Sequence, residues 1–261
     1  CNSTLARLIP SIFNETLSKG VDNVDLEALG IIDKLVFKIM ICWNEVISIP
    51  LLEDITHYIA SEILYLPDEL KQEIIKAIHN LLTLNIVELG VTGLKIKHDL
   101  LYLSYISKYN TVPEALLYNK LYDYINLNKE KIIETYSQTF FNLNNALYSY
   151  YANHTSWVQN NLECLKMLMA QSDYRNIAII INRLEKSFAE MNANDLILLA
   201  ECFYNCGKYE KARNILNYSF SKLSNDEEYF KYYYLSGKIY NIILDKNNAE
   251  KELLLAKKYI Q

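Results

Sequence analysis

Residues able to do chemistry are sparse in this chain, and the pair that stands out is His98-Asp99, inside Leu94-Lys95-Ile96-Lys97-His98-Asp99-Leu100. An imidazole and a carboxylate meet there at the point where an alternating apolar pattern gives way to a helical one. A carboxylate so placed can accept from the unpaired N–H groups of a helix start and sits well at its positive dipole end. On spacing alone, Asp99 is therefore a helix cap and His98 a surface residue. Cys202 and Cys206 are four apart on one helical face and could share a metal, but no His or Cys pair with ligand spacing accompanies them. His57, His79 and His154 show no such spacing, no Ser or Cys sits in a nucleophile elbow, and the carboxylates read as helix-surface charges. The sequence thus assigns no catalytic residue and no metal site, and argues against an enzyme within this chain.

The elements that position His98 can be read outward from it. Val87 and Leu89 alternate with polar neighbours, Gly90-Val91-Thr92-Gly93 turns the chain, and Leu94 and Ile96 resume the alternation, which predicts a β-hairpin. Leu100, Leu101, Leu103, Tyr105 and Ile106 then supply the apolar face of a helix. Upstream, Leu26, Leu29, Ile32, Leu35, Val36 and Ile39 form an amphipathic stripe ending near Trp43. Ser48-Ile49-Pro50 caps and opens a second helix, and Pro67-Asp68-Glu69 opens a third carrying Leu70, Ile74, Ile78 and Leu81. Three helices followed by a hairpin is the layout of a winged helix, expected over 26–107. Residues 1–25, with apolar positions broken by Pro10, read as a helical lead-in.

Composition narrows the function classes. With 51 % hydrophobic residues and only six Gly and four Pro, the chain can build a core and is expected to be mainly α. Its formal charge of −5 and the lack of a dense Lys/Arg block disfavour nucleic acid as the main partner. The third helix offers Lys71, Lys76 and His79 against Glu69 and Glu73, and the hairpin adds only Lys95 and Lys97, too few cations to neutralise many phosphates. The longest apolar stretch, from Ile31 to Trp43, is interrupted by Asp33, Lys34 and Lys38, which argues against a membrane span. Five scattered cysteines in apolar helical patterns suit buried thiols in the cytoplasm better than a disulfide framework. The start at Cys1, without Met, is expected of a processed chain or a fragment of a longer one.

The hairpin and Ile96-Lys97-His98-Asp99-Leu100-Leu101 resemble the winged-helix domain of STAND-class signal-transduction ATPases, a class that includes NLR immune receptors and antiviral sensors. The segment looks like the Met-His-Asp-Leu motif of that family, with Lys97 standing where the Met usually does. The resemblance implies that His98 helps to hold ADP in a closed state and that Asp99 has a local structural role. No G-x-x-x-x-G-K-[ST] occurs in the chain, so ADP or ATP would be bound through an upstream NTPase module of a parent protein, and the chain itself holds no cofactor.

From Pro113 onward helix follows helix, and internal repeats emerge. Leu196, Leu199, Ala200, Phe203, Gly207, Tyr209, Ala212 and Leu216 fall at the spacing of a tetratricopeptide repeat, and Tyr233, Gly237, Tyr240, Ala249, Leu253 and Ala256 form a second copy. The slightly long separation predicts a small insertion in the Ser224-Asn225-Asp226 link. Trp157 to Met169 with Ile177 to Leu184 reads as a degenerate repeat, while Leu116 to Tyr124 and Ile132 to Tyr150 read as two further helices. The expectation is a TPR-like α-solenoid over 113–261. By resemblance to that repeat, its partner-binding groove carries Asn194, Ile197, Glu201, Tyr204 and Asn205, then Lys231, Tyr234, Lys238 and Asn241. Tyr and Asn with a few charges suit a protein or peptide ligand.

The sequence therefore points to a sensor and regulatory segment of a STAND-type ATPase, binding a trigger or partner protein through the array. A freestanding TPR adaptor is the alternative, and a DNA-binding transcriptional regulator a third.

Overall fold

The computed structural model describes residues 29–63, 70–97 and 114–260, and they are mainly helical. His98, Asp99, the lead-in 1–25 and the helix expected from Leu100 to Ile106 lie outside the described residues. The chain divides into two compact units, one ending at Asn128 and the other beginning at Lys129.

In the first unit, α1 (Ile31–Trp43), α2 (Ile49–Ile63) and α3 (Leu70–Thr83) precede β1 (Val87–Leu89) and β2 (Leu94–Ile96), and α4 (Glu114–Leu127) closes the unit. Asp33 starts α1 by accepting from the Gly30 N–H at 3.0 Å. Every residue of α1 from Leu35 to Trp43 is buried, because α2, α3 and β2 all pack around this helix. The strands pair antiparallel, with Val87 opposite Ile96 and Leu89 opposite Leu94, on either side of the expected turn from Gly90 to Gly93. A further bridge joins Ile47, in the α1–α2 link, to Leu94, with N–H···O distances of 2.9 and 2.8 Å. The sequence places 113–127 with the repeats. In the structure α4 packs on α2, and its Tyr124 hydroxyl donates to Asp54 Oδ2 at 2.6 Å.

The second unit runs α5 (Lys129–Thr135), α6 (Gln138–Tyr151), α7 (Trp157–Gln171), α8 (Tyr174–Leu184), α9 (Ala193–Asn205), α10 (Tyr209–Ser219), α11 (Asp226–Ile242) and α12 (Lys246–Lys258). The single helix expected from Ile132 to Tyr150 is two helices, because the Ser137 hydroxyl accepts from the Phe140 N–H at 3.0 Å and starts a new one. From α7 onward the helices form three hairpins whose turns repeat one design. Ser172, Gly207 and Leu244 each adopt the left-handed conformation, with φ of 57, 73 and 65°. After each, an amide reaches back across the turn: Asp173 to the Leu168 carbonyl, Lys208 to Phe203 and Asp245 to Tyr240, all between 2.9 and 3.0 Å. Asp173 and Asp245 then cap the second helices by accepting from the amides of Asn176 and Asn248.

Small residues let the two helices of a hairpin approach. Ala200, Ala212 and Ser219 are fully buried, and a Cβ at Gly237 would stand 2.6 Å from Leu253 Cγ. The insertion expected in the Ser224-Asn225-Asp226 link lies elsewhere. α11 has 17 residues where α9 has 13, so the extra length is a turn within the helix. The 3-10 turns Phe188–Glu190 and Phe220–Lys222 lead into the caps Asn192 and Asn225.

Candidate partner-binding face

The first helices of the three hairpins lie side by side, α7 against α9 and α9 against α11. Most of the residues expected in a groove fall on these helices at positions left open to contact. Tyr204 is half-buried on α9, and Tyr234 is 47 % exposed on α11. Between them stands Lys238, whose Nζ lies 4.9 Å from the Tyr204 ring centroid and 5.4 Å from that of Tyr234. The ring faces attract the ammonium and hold its long side chain in one place. Phe230 stacks on Tyr234 at 5.8 Å, extending the aromatic surface one turn back.

At the other end of the same face, Asn194 Nδ2 donates to Glu228 Oε1 at 2.7 Å. The other Glu228 oxygen accepts from the Ser224 amide and hydroxyl at 2.8 and 3.0 Å. Glu228 is buried, and these partners satisfy its carboxylate as a buried charge requires. Lys231 pairs with Glu227, and that hydrogen bond and charge hold the Glu227 carboxyl below its usual range. Lys231 Nζ also lies 3.5 Å from Asn194 Oδ1. Asn205 reaches across to Met169 of α7, with Nδ2 at 3.7 Å from Sδ.

The structure thus brings Tyr204, Tyr234 and Lys238 together, and separately Asn194 with Lys231. Glu201 is half-buried and Asn241 exposed, each on the same helices. Ile197 differs: it is buried and belongs to the core of the unit. Glu228, Phe230 and Met169 are participants that the repeat pattern does not single out. Glu228 was legible as the acid three residues past the Asn225 cap, whereas Met169 is brought in by packing between hairpins.

Among the described residues, the remaining chemistry-bearing side chains do not converge. Among the described residues no three His, Cys, Asp or Glu side chains gather as a metal site. Cys202 is buried, and loss of solvation pushes its thiol up to about 12. Cys206, four residues on, is raised by burial as well, so neither is poised as a thiolate ligand or nucleophile. Among the described residues no helix is long and apolar enough to cross a membrane. No protein-family model, curated protein or solved structure matches the chain.

Proposed function

We propose that the chain is the sensor segment of a STAND-type ATPase, in which a TPR-like array binds a trigger or partner protein and a winged helix couples that event to nucleotide state. The observation that carries the partner-binding half is the row α7, α9 and α11, which presents the Tyr204–Lys238–Tyr234 cluster on its open side. Aromatic rings backed by a fixed cation offer large contact area at little entropic cost, the chemistry of protein and peptide recognition. The winged-helix half is supported by the Ile47–Leu94 bridge, which adds a strand position between the first two helices and makes the order helix, strand, helix, helix, hairpin. In this reading array occupancy displaces the winged helix, removes His98 from ADP and frees the parent protein to assemble.

The test is the nucleotide content of the full-length parent. Protein purified with and without His98→Ala is denatured and the released nucleotide is measured. Loss of ADP in the variant supports the proposal, and unaltered ADP retention sinks it. A parent that binds no nucleotide leaves a TPR adaptor, the second reading, which the same aromatic face supports by itself. A DNA-binding role has less support, because two of the four lysines on the third helix and the hairpin are ion-paired, Lys76 with Glu73 at 2.6 Å and Lys95 with Glu88 at 2.8 Å, which reduces the charge available to phosphates.

A further inference from the structure

Each of the three hairpins closes with an amide, of Asp173, Lys208 or Asp245, that reaches back across the turn. Counting back from these amides aligns the first helices residue by residue. Seven residues before them stand Lys166 on α7, Glu201 on α9 and Lys238 on α11. Two turns further back the same count gives Gln159, Asn194 and Lys231, and there the alignment shows as a contact, with Lys231 Nζ 3.5 Å from Asn194 Oδ1. The row Lys166, Glu201, Lys238 thus crosses the helices with charges that alternate in sign.

These charges do not neutralise one another. Among the described residues no ion pair joins Glu201 to Lys166 or to Lys238. Glu163, one turn before Lys166, accepts from Gln159 Nε2 at 3.0 Å. Lys238 is held by the rings of Tyr204 and Tyr234, which leaves its N–H groups able to donate. Lys166 is exposed and Glu201 half-buried. Because α9 has a first helix on each side, Glu201 and Tyr204 stay accessible with both neighbours in place.

Helices packed side by side stand about 8–10 Å apart. A polyproline II segment has three residues per turn and repeats about every 9 Å, so its residues i, i+3 and i+6 point to one side in step with three such helices. Side chains on one face of a β-strand repeat about every 7 Å and fall out of step. Aromatic-lined grooves also suit proline rings, and Tyr204 and Tyr234 flank Lys238 at one end of the charged row.

We propose that the groove across α7, α9 and α11 binds a proline-rich polyproline II segment of the partner, whose acid, base and acid at every third residue meet Lys166, Glu201 and Lys238. This rests on the reading of that face as the partner-binding groove and names the ligand it takes.

The test uses the full chain and three labelled proline-rich peptides, with binding read by fluorescence anisotropy. One carries Glu, Lys and Glu at every third residue, one has all three signs inverted, and one has Glu, Lys and Glu adjacent. The first binds on the order of tenfold tighter than either of the others, and its affinity falls as salt is raised. Lys166→Glu, at an exposed position, moves the preference to a peptide with Lys in place of one terminal Glu. Tyr204→Ala weakens binding on the order of tenfold, and circular dichroism checks that both variants are folded. Equal binding of the three peptides that Tyr204→Ala removes overturns the charge pattern and leaves the groove standing. Equal binding that Tyr204→Ala does not change overturns the groove as well, because the peptides then lie elsewhere. A preference that Lys166→Glu leaves unaltered overturns the proposal. No binding of any peptide also overturns it, and leaves the face to a folded partner surface.

Discussion

A Cβ atom at Gly93 would stand 2.3 Å from the carbonyl oxygen of Ile47, the oxygen that accepts from the Leu94 amide at 2.8 Å. The hairpin and the α1–α2 link can meet only because position 93 has no side chain. Gly93→Ala must therefore push the link away and break both bridge hydrogen bonds, at a cost of about 2 kcal/mol. Gly90→Ala is the control, because its Cβ would find the Gly93 oxygen at 3.5 Å, an ordinary contact, and its effect stays within about 0.5 kcal/mol. Urea unfolding read by Trp43 fluorescence in a Trp157→Phe background checks both, since Trp43 is buried in α1.

Much of this arrangement is legible in the residues. Alternation around a Gly-rich turn places the hairpin, and the small residues Ala200, Ala212, Gly237 and Ala249 mark the close contacts between paired helices. What escapes is decided by contacts distant in sequence or by a cap with no Gly or Pro beside it. The break at Ser137 is a single hydroxyl accepting one amide, inside a pattern that is apolar and helical on both sides. Tyr124 joins the first unit through Asp54, a partner far back in the chain. The extra turn in α11 preserves helical periodicity, so spacing alone reads it as a longer link. Ile197 is buried because the core of the second unit extends beneath α9, a depth that a repeat offset does not carry.

Leu244 occupies the left-handed turn position that glycine holds in the preceding hairpin, with φ of 65° against 73° at Gly207. Its side chain is 80 % exposed and gains little from packing, while a branched residue in this conformation is strained by about 1 kcal/mol. Leu244→Gly is expected to raise the stability of the second unit by up to about 1 kcal/mol, reduced by the extra freedom glycine has when unfolded. Gly207→Ala is expected to lower it by a similar amount, although nothing stands within 4 Å of the added Cβ. Denaturation midpoints read by Trp157 distinguish the two signs.

Asn161, fully buried on α7, ties that helix to α6 by donating to the Ala146 carbonyl at 3.0 Å, and it also donates to Trp157 at 2.8 Å. Its Oδ1 is buried and accepts nothing, which offsets much of the gain from the donated bonds. Asn161→Ala removes the tie and leaves a void, and is expected to cost about 2 kcal/mol. Asn161→Leu fills the volume and also removes the unsatisfied oxygen, so it should retain more stability than the alanine variant. Equal losses in urea titration would show that the hydrogen bonds, and not the volume, dominate at this position.

Alkaline pH tests the same core through its thiols. Burial pushes Cys164 and Cys202 from 9.0 up to about 12. Burial, reinforced by the Glu252 charge, takes Tyr232 from 10.0 up to about 12. Below the ordinary thiol range the folded and unfolded chains hold the same protons at these cysteines, and they leave stability independent of pH. Above it the unfolded chain releases protons that the folded chain keeps, so stability falls as pH rises toward the folded values. Each thiol contributes about 1.4 kcal/mol per pH unit in that window, and Tyr232 adds to the slope once free tyrosine ionises. Urea midpoints from about pH 8 to about pH 11 should therefore decline ever more steeply, and Cys202→Ala should flatten the decline by the share of one thiol. A variant whose midpoint keeps the parent slope across that window would show that Cys202 ionises in the fold as readily as outside it, and that the space around it is open to water.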